Sequence, residues 1–131
     1  MRIRMMLIAA AAIGVSAAAG PALAEDGAAI FSQNCAACHQ PQGQGIPGAF
    51  PKLAGNTFVQ GPAQQVAHTI LNGRGGMPKF GEELSDEQIA AVASYVRSSW
   101  GNKADPITPD IVAAERAAGA LPPPSNGQQA H

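Results

Sequence analysis

Apolar residues recur at intervals of three and four along three stretches of the chain, and this spacing predicts amphipathic helices. The first stretch follows Asp26, a helix-capping residue, and its apolar face runs from Phe31 through both cysteines of the chain. The second covers 62–72, with Pro62 expected at the first helical position and Gly73 just past the end.

The third stretch carries the clearest helix signals. Ser85 and Gln88 form a capping box at its start, its apolar face runs from Ile89 to Trp100, and Gly101 is expected to stop it. An apolar face of this kind must pack against another one, and the first helix offers the only comparable face. We therefore expect these two helices to cross.

Residues 40–61 separate the first two helices and show no apolar repeat. A loop of this length is uncommon in a compact domain unless it serves a function. After the third helix, 108–118 predicts a further short helix, and the proline-containing end of the chain predicts disorder. We expect one domain over 25–101, a C-terminal extension over 102–120 and a disordered tail over 121–131.

The chain begins with the features of an export signal. Basic residues in Met1–Arg4 precede an apolar run over 5–19, and Ala22–Ala24 forms a small-x-small cleavage site. An uncleaved membrane anchor is the alternative, but a spanning helix needs about 20 apolar residues, and Gly20–Pro21 interrupts this run. We expect a cleaved signal peptide over 1–24 and a periplasmic protein.

Charge and composition narrow the function further. The 131 residues include 8 Lys and Arg against 9 Asp and Glu, and only 6 of the basic residues lie beyond the predicted signal peptide. A nucleic-acid-binding protein would be basic, so that class is excluded. The chain has only 4 Phe, 1 Tyr and 1 Trp, and so few large side chains do not easily fill a core. We expect a cofactor to complete it.

The two cysteines lie in the sequence Cys35-Ala36-Ala37-Cys38-His39, the attachment signature of c-type haem. Cys35 and Cys38 fall on one side of a helical turn, so both thiols can form thioethers with the vinyl groups of one porphyrin. His39 follows directly and can place its imidazole on the iron. The motif predicts one covalent haem c.

Three other roles compete for these cysteines. A thioredoxin-type dithiol would follow a strand, whereas the residues before Cys35 predict a helix. Tetrahedral zinc needs four ligands, and Cys35, Cys38, His39 and one of His68 or His131 make a poor set. A disulfide is usual in an oxidising compartment, but across two residues it would be strained and would leave His39 unexplained. Haem attachment is the interpretation we favour.

Met77 is the only methionine beyond the predicted signal peptide, and it lies in a glycine-rich loop before Pro78. Lone methionines usually pack in cores, but such a loop is a poor place for a core residue. Met/His ligation raises the reduction potential of haem iron. His68 is the competing ligand, yet it lies opposite the apolar face of its helix and is expected at the surface. We predict His39 and Met77 as the axial ligands.

Together these residues resemble the class I c-type cytochromes, which are small all-α electron carriers. The resemblance covers about 26–101, and the motifs that carry it are Cys35–His39, Phe50–Leu53 and Met77–Pro78. It implies the cytochrome c fold, with three to four short helices wrapped around one covalent haem and the N- and C-terminal helices crossing. It also implies that Pro51 offers its backbone carbonyl to the ligand histidine and that Leu53 packs on the haem. Gln40 departs from the pattern, because many relatives have glycine there.

The function that the resemblance implies is electron transfer by a single-haem carrier that is not an enzyme. The chain looks most like cytochrome subunits that serve quinoprotein dehydrogenases or terminal oxidases. Its partners would then be redox proteins, a dehydrogenase or other donor and a respiratory acceptor, met at the periplasmic face of the membrane. An open iron site with a labile Met77, typical of a ligand-binding or sensor protein, is the alternative.

Overall fold

The computed structural model describes residues 25–120, and these residues form helices joined by loops, without a β-strand. The helices are α1 Gly27–Asn34, α2 Ala36–His39, α3 Ala63–Asn72, α4 Asp86–Ser98 and α5 Pro109–Ala120. The all-α prediction is confirmed, and four of the helices lie in the predicted domain. The predicted signal peptide and disordered tail lie outside the described residues. None of the described helices is long and apolar enough to cross a membrane.

Helices α1 and α4 cross, as their apolar faces predict. The crossing is close at Gly27, where an added Cβ would overlap the carbonyl oxygen of Ala91 and lie 2.9 Å from the Cβ of Tyr95. Phe31 is 2% exposed and packs against the rings of Tyr95 and Trp100, with centroid distances of 5.6 and 5.0 Å. The two helices therefore meet closely at Gly27, which has no side chain, and one helical turn further along α1 at the aromatic cluster of Phe31, Tyr95 and Trp100.

A pair of glycine variants tests this crossing. Gly27→Ala is expected to lower the free energy of unfolding by about 1–3 kcal/mol, because the new methyl group forces α1 away from α4. Gly119→Ala is the matched control, since Gly119 is also helical and a Cβ there meets only the Asn72 side chain at 3.6 Å. This control is expected to gain up to about 1 kcal/mol from helix propensity. Denaturant unfolding of the haem-loaded protein checks both; equal effects would contradict the close crossing.

The apolar face of α4 serves two core clusters, whereas the sequence predicted packing against α1 alone. Val92 and Val96 join the α1 cluster. Ile89 packs instead in a cluster that includes the fully buried Val112 of α5 and residues of α3. The crossing with α1 is confirmed, and the second cluster was not predicted, because the extension brings its own apolar residues onto α3 and α4, led by Ile107, which is 3% exposed.

Several helix boundaries differ from those predicted. Pro62 is the N-cap of α3 and not its first residue, because its ψ of 130° keeps it extended. Helix α4 ends at Ser98, two residues before Trp100, which has a positive φ of 52° and lies outside the helix. Helix α5 continues past 118 to Ala120. Thr108 caps it, accepting a hydrogen bond from the backbone N–H of Ile111 at 3.4 Å.

Arg97 is buried, at 4% exposure, and binds backbone carbonyls from two loops. Its Nε donates to the Asp105 carbonyl at 2.7 Å, and its Nη1 donates to those of Val59 and Gly61 at 2.7 and 2.8 Å. A buried charge is tolerated when it is fully hydrogen-bonded. Arg97 thereby ties the end of the long loop, and the segment that leads to α5, to helix α4.

Asn102, at 3% exposure, fixes the middle of the long loop in a similar way. Its Nδ2 donates to the carbonyls of Leu53 at 3.1 Å and Val96 at 2.8 Å, while its Oδ1 accepts from the N–H of Gly55 at 2.8 Å. The loop over 40–61, for which the sequence predicts no regular structure, is therefore held to the end of α4 by side-chain hydrogen bonds.

Candidate haem site

The Cys35–His39 motif occupies a kink at the end of α1. Cys35 ends α1 and caps α2, and its φ of −116° breaks the continuous helix that the apolar spacing predicted. Its carbonyl accepts from the N–H groups of Cys38 at 3.2 Å and His39 at 2.9 Å, so the next turn is tight. The two cysteines are half-buried, and no disulfide joins them in the described part of the chain.

Gln40, which ends α2, has a φ of 67° and a ψ of 154°. This left-handed φ favours glycine over residues with a side chain, which explains why glycine at this position suits the similar proteins noted above. Gln40 nevertheless adopts this conformation, and its N–H donates a 2.9 Å hydrogen bond to the Ala36 carbonyl. The chain thus leaves the motif at a sharp angle and turns towards the long loop.

His39 is buried, and its imidazole is held by one hydrogen bond. Nδ1 lies 2.9 Å from the carbonyl oxygen of Pro51. A carbonyl only accepts, so Nδ1 donates the proton of this bond, and in the neutral ring Nε2 is the nitrogen with the lone pair. Metal-bound histidines commonly donate their second ring N–H to a carbonyl in this way. The described geometry brings together His39 and Pro51, the pair that the sequence resemblance implied.

The loop after the motif holds the Pro51 carbonyl in place. Gly45 donates its N–H to the His39 carbonyl at 2.9 Å, and Leu53 donates to the carbonyl of Gly43 at 2.7 Å. Both glycines have a positive φ of 62°. At Gly45 a side chain would meet the backbone of Phe50 to Lys52, so glycine permits the close approach that orients Pro51.

Ile46 and Phe50 lie beside Pro51 and leave apolar surface uncovered. They pair as an isolated bridge, with the Ile46 N–H 2.9 Å from the Phe50 carbonyl. They are also the large apolar residues that the described structure leaves exposed, at 40% and 39%. Leu53 is half-buried and packs against the cluster of α1 and α4. Its contact with the haem stays a prediction.

Met77 lies on a separate, glycine-rich turn after α3. Met77 and Arg74 exchange backbone hydrogen bonds of 3.0 and 3.3 Å, and the turn between them includes Gly75, with a φ of 57°. At Gly73 a side chain would strike the Met77 carbonyl. Met77 is half-buried, and among the described residues no hydrogen bond links it to the Cys35–His39 motif. Its role as an iron ligand stays a prediction.

Two competing interpretations of the sequence can be compared with this geometry. Burial raises the pKa of the Cys35 thiol to about 11, and the neighbouring Cys38 adds to the shift. A reactive thiol has a lowered pKa instead, so the burial of Cys35 does not favour a thioredoxin-type nucleophile at this position. His68 lies at the surface as predicted, with its Nδ1 3.5 Å from a Glu115 carboxylate oxygen.

Two of the four acidic residues within 82–87, Glu82 and Asp86, form ion pairs. Lys79 contacts Glu82 at 2.5 Å and lowers the pKa of that carboxyl. Asp86 pairs with Arg116 at 2.8 Å. The roles of Arg97, Asn102 and Arg116 were not predicted, because the partners of these side chains are largely carbonyls of distant segments. No local motif indicates such contacts. The one hint in the sequence is the charged residue Arg97 within helix α4.

Comparison with known proteins assigns this chain to a family. Residues 22–96 match the family described as cytochrome c oxidase, cbb3-type, subunit III. Cytochrome c-552 of Thermus thermophilus is 41% identical over 100 residues, which cover 63% of this chain and 66% of that protein. The fructose dehydrogenase cytochrome subunit of Gluconobacter japonicus is 37% identical over 113 residues, 75% of this chain but only 23% of that one. The solved cytochrome c6 of the diatom Phaeodactylum tricornutum is 37% identical, with a TM-score of 0.49, and the match covers 56% of this chain and 90% of that one.

The fold and the attachment motif define a c-type cytochrome, an electron carrier with one covalent haem c. Within that class, the chain belongs to the family described as cytochrome c oxidase, cbb3-type, subunit III. The residues present fit the cofactor: two unpaired thiols precede a buried imidazole whose Nε2 is available to a metal, beside uncovered apolar surface.

Proposed function

We propose that this chain is an exported single-haem electron carrier in which Cys35 and Cys38 hold the haem and His39 and Met77 are the axial ligands. The observation that carries the proposal is the His39 imidazole, buried and held by Pro51 with Nε2 available. When bound, the haem supplies one-electron cycling between Fe(III) and Fe(II). The chain supplies the two ligands, the burial and the hydrogen bonds that set its potential.

The Pro51 carbonyl has two effects on His39. It fixes one tautomer and one ring orientation, and it makes the imidazole a stronger base towards a metal. Because the Pro51 carbonyl is itself held by the loop bonds around Gly43 and Gly45, the ring does not need to reorient when the charge at the site changes. This rigidity suits a protein that gains and loses one electron repeatedly.

Met77 would supply the second ligand through its thioether sulfur. A thioether raises the reduction potential relative to a second histidine or an open position. The Arg74–Met77 turn presents the side chain on a short, closed stretch of backbone, and Pro78 stiffens the chain directly after it. These features favour a carrier over a site left open for chemistry.

Partners would dock at the apolar surface around Ile46 and Phe50, next to Pro51. Few basic residues are available to form a lysine-rich docking face, so contact through this small patch and brief association are expected. Related chains are named as cytochrome subunits of a fructose dehydrogenase and of quinone-dependent alcohol dehydrogenases, and as a subunit of a cbb3-type cytochrome c oxidase. By analogy we propose a periplasmic dehydrogenase as donor and a respiratory oxidase or similar protein as acceptor, with the membrane approached only through these partners.

The absorption spectrum of the protein exported from a host with haem-attachment machinery tests the proposal. We expect haem that resists acid-acetone extraction, reversible reduction, and in the oxidised form the weak far-red band of a methionine–iron bond. Covalent haem without this band would favour the open-site sensor. A colourless protein would contradict both.

A further inference from the structure

The segment that follows Met77 is held by one side chain of the C-terminal extension. Arg116 of α5 reaches three groups between the Met77 turn and the start of α4. Its Nε donates to the Asp86 carboxylate at 2.8 Å, its Nη2 donates to the Leu84 carbonyl at 3.1 Å, and its Nη1 donates to the Gly81 carbonyl. All five N–H donors of a guanidinium lie in one rigid plane, so these three contacts fix the segment in a single arrangement.

The same segment is bound on its other side by α3. Phe80 donates its N–H to the Ile70 carbonyl at 3.0 Å, and Gly81 donates to that of Leu71 at 3.1 Å. Phe80 is also buried, at 9% exposure. The chain three residues after Met77 therefore lies between the end of α3 and the guanidinium of Arg116. It has no helix or strand of its own to hold it.

Arg116 projects from an anchored helix. Val112, one helical turn earlier, is fully buried in the cluster shared by α3, α4 and α5. Glu115 lies 3.5 Å from His68 and adds a surface contact to α3. The packing of α5 thus fixes the backbone from which the Arg116 side chain projects. Helix α5 does not need the Arg116 contacts to stay in place.

We propose that Arg116 is a positioning residue for Met77. By holding segment 80–84, the C-terminal extension restricts the movement of the turn that carries Met77. This inference rests on the proposed role of Met77. The turn that carries Met77 is glycine-rich and closed by only two backbone hydrogen bonds. When the segment 80–84 is held, the thioether has few positions available. When it is released, the thioether spends more time away from the iron. An external ligand then binds more tightly in proportion to the fraction of molecules with the position open.

Imidazole binding to the oxidised haem-loaded protein measures that fraction. Arg116→Ala is expected to tighten the apparent imidazole affinity by roughly tenfold and to weaken the far-red methionine band. Hydrogen exchange at the amides of Phe80 and Gly81 should accelerate in parallel. Arg116→Lys keeps a charge near Asp86 but lacks the planar fork, so an intermediate change of about threefold is expected. This milder variant keeps the test decisive if the alanine variant does not fold.

Glu115→Ala is the matched control, because Glu115 is the neighbour of Arg116 on α5 and its ion pair is with His68 of α3 and not with segment 80–84. It should leave the imidazole affinity and the far-red band unchanged. Faster exchange at Phe80 and Gly81 in Arg116→Ala, with unchanged imidazole affinity and band, would overturn this inference alone. A wild-type protein that lacks the band, and binds imidazole as tightly as Met77→Ala does, would overturn the ligand role of Met77 and the inference with it.

Discussion

Replacing Met77 with alanine is expected to lower the reduction potential by roughly 0.2 V, within the roughly 0.8 V that axial ligands span across haem proteins. The physical reason is the loss of a thioether, which favours Fe(II). The far-red band should disappear, and the oxidised protein should bind imidazole or cyanide readily. Redox titration and ligand titration of the exported protein measure these changes.

Lys79→Ala is the control for Met77→Ala. It lies two residues further on and removes an exposed ion pair with Glu82, and exposed pairs contribute little. Its potential should stay close to that of the wild type. If Met77→Ala also retains the wild-type potential and band, the second ligand is another residue or the position is open, and the carrier proposal would need revision.

Replacing Cys35 and Cys38 together with serine is expected to reduce the yield of covalent haem protein by at least about tenfold, because the attachment motif loses both sulfur atoms that form thioethers. Any haem that remains bound should extract into acid-acetone. The measurement is the absorbance of the extract compared with that of the protein pellet, at equal protein expression.

Ala37→Ser is the matched control for the double serine variant. It introduces the same side chain within the same motif, at an exposed position between the two cysteines. Covalent attachment should be as in the wild type. Wild-type attachment in the double serine variant would mean that the haem is held by other residues.

The elements whose signals are local were predictable from the sequence. The capping box at Ser85 and Gln88 forms as expected, with hydrogen bonds of 3.1 and 3.2 Å, and Asp26 caps α1. The attachment motif is also local, since Cys35 and Cys38 are three residues apart. The crossing of α1 and α4 followed because each helix has an apolar face that must be buried.

The end of α4 shows where local signals fail. Trp100 continues the apolar spacing, but its ring packs against Phe31 and against the backbone of Gly43. Those contacts come from distant parts of the chain and require Trp100 to leave the helix with a positive φ. Periodicity alone does not contain this information.

The site was predictable only in part for the same reason. His39 belongs to a motif, but its partner Pro51 came from the family resemblance and not from spacing. Apart from the bond of Asn102 to Val96, the side chains of Asn102 and Arg116 bind groups 30 to 49 residues away. Such bonds depend on how the helices pack, and a packing arrangement has to be known before they can be identified.

The crossing of α1 and α4 also sets the order in which the chain can fold. Gly27 precedes Tyr95 by 68 residues, so in a chain that emerges N-terminus first the helix that leads into the attachment motif appears without its packing partner. Closing this contact requires a loop of more than 60 residues. The chain loses the conformational entropy of this loop before the aromatic cluster can form and stabilise the contact. Until α4 is complete, Cys35 and Cys38 are carried on a segment with no stable core behind it. We therefore expect the two thiols to be most accessible to haem attachment early, before the domain closes.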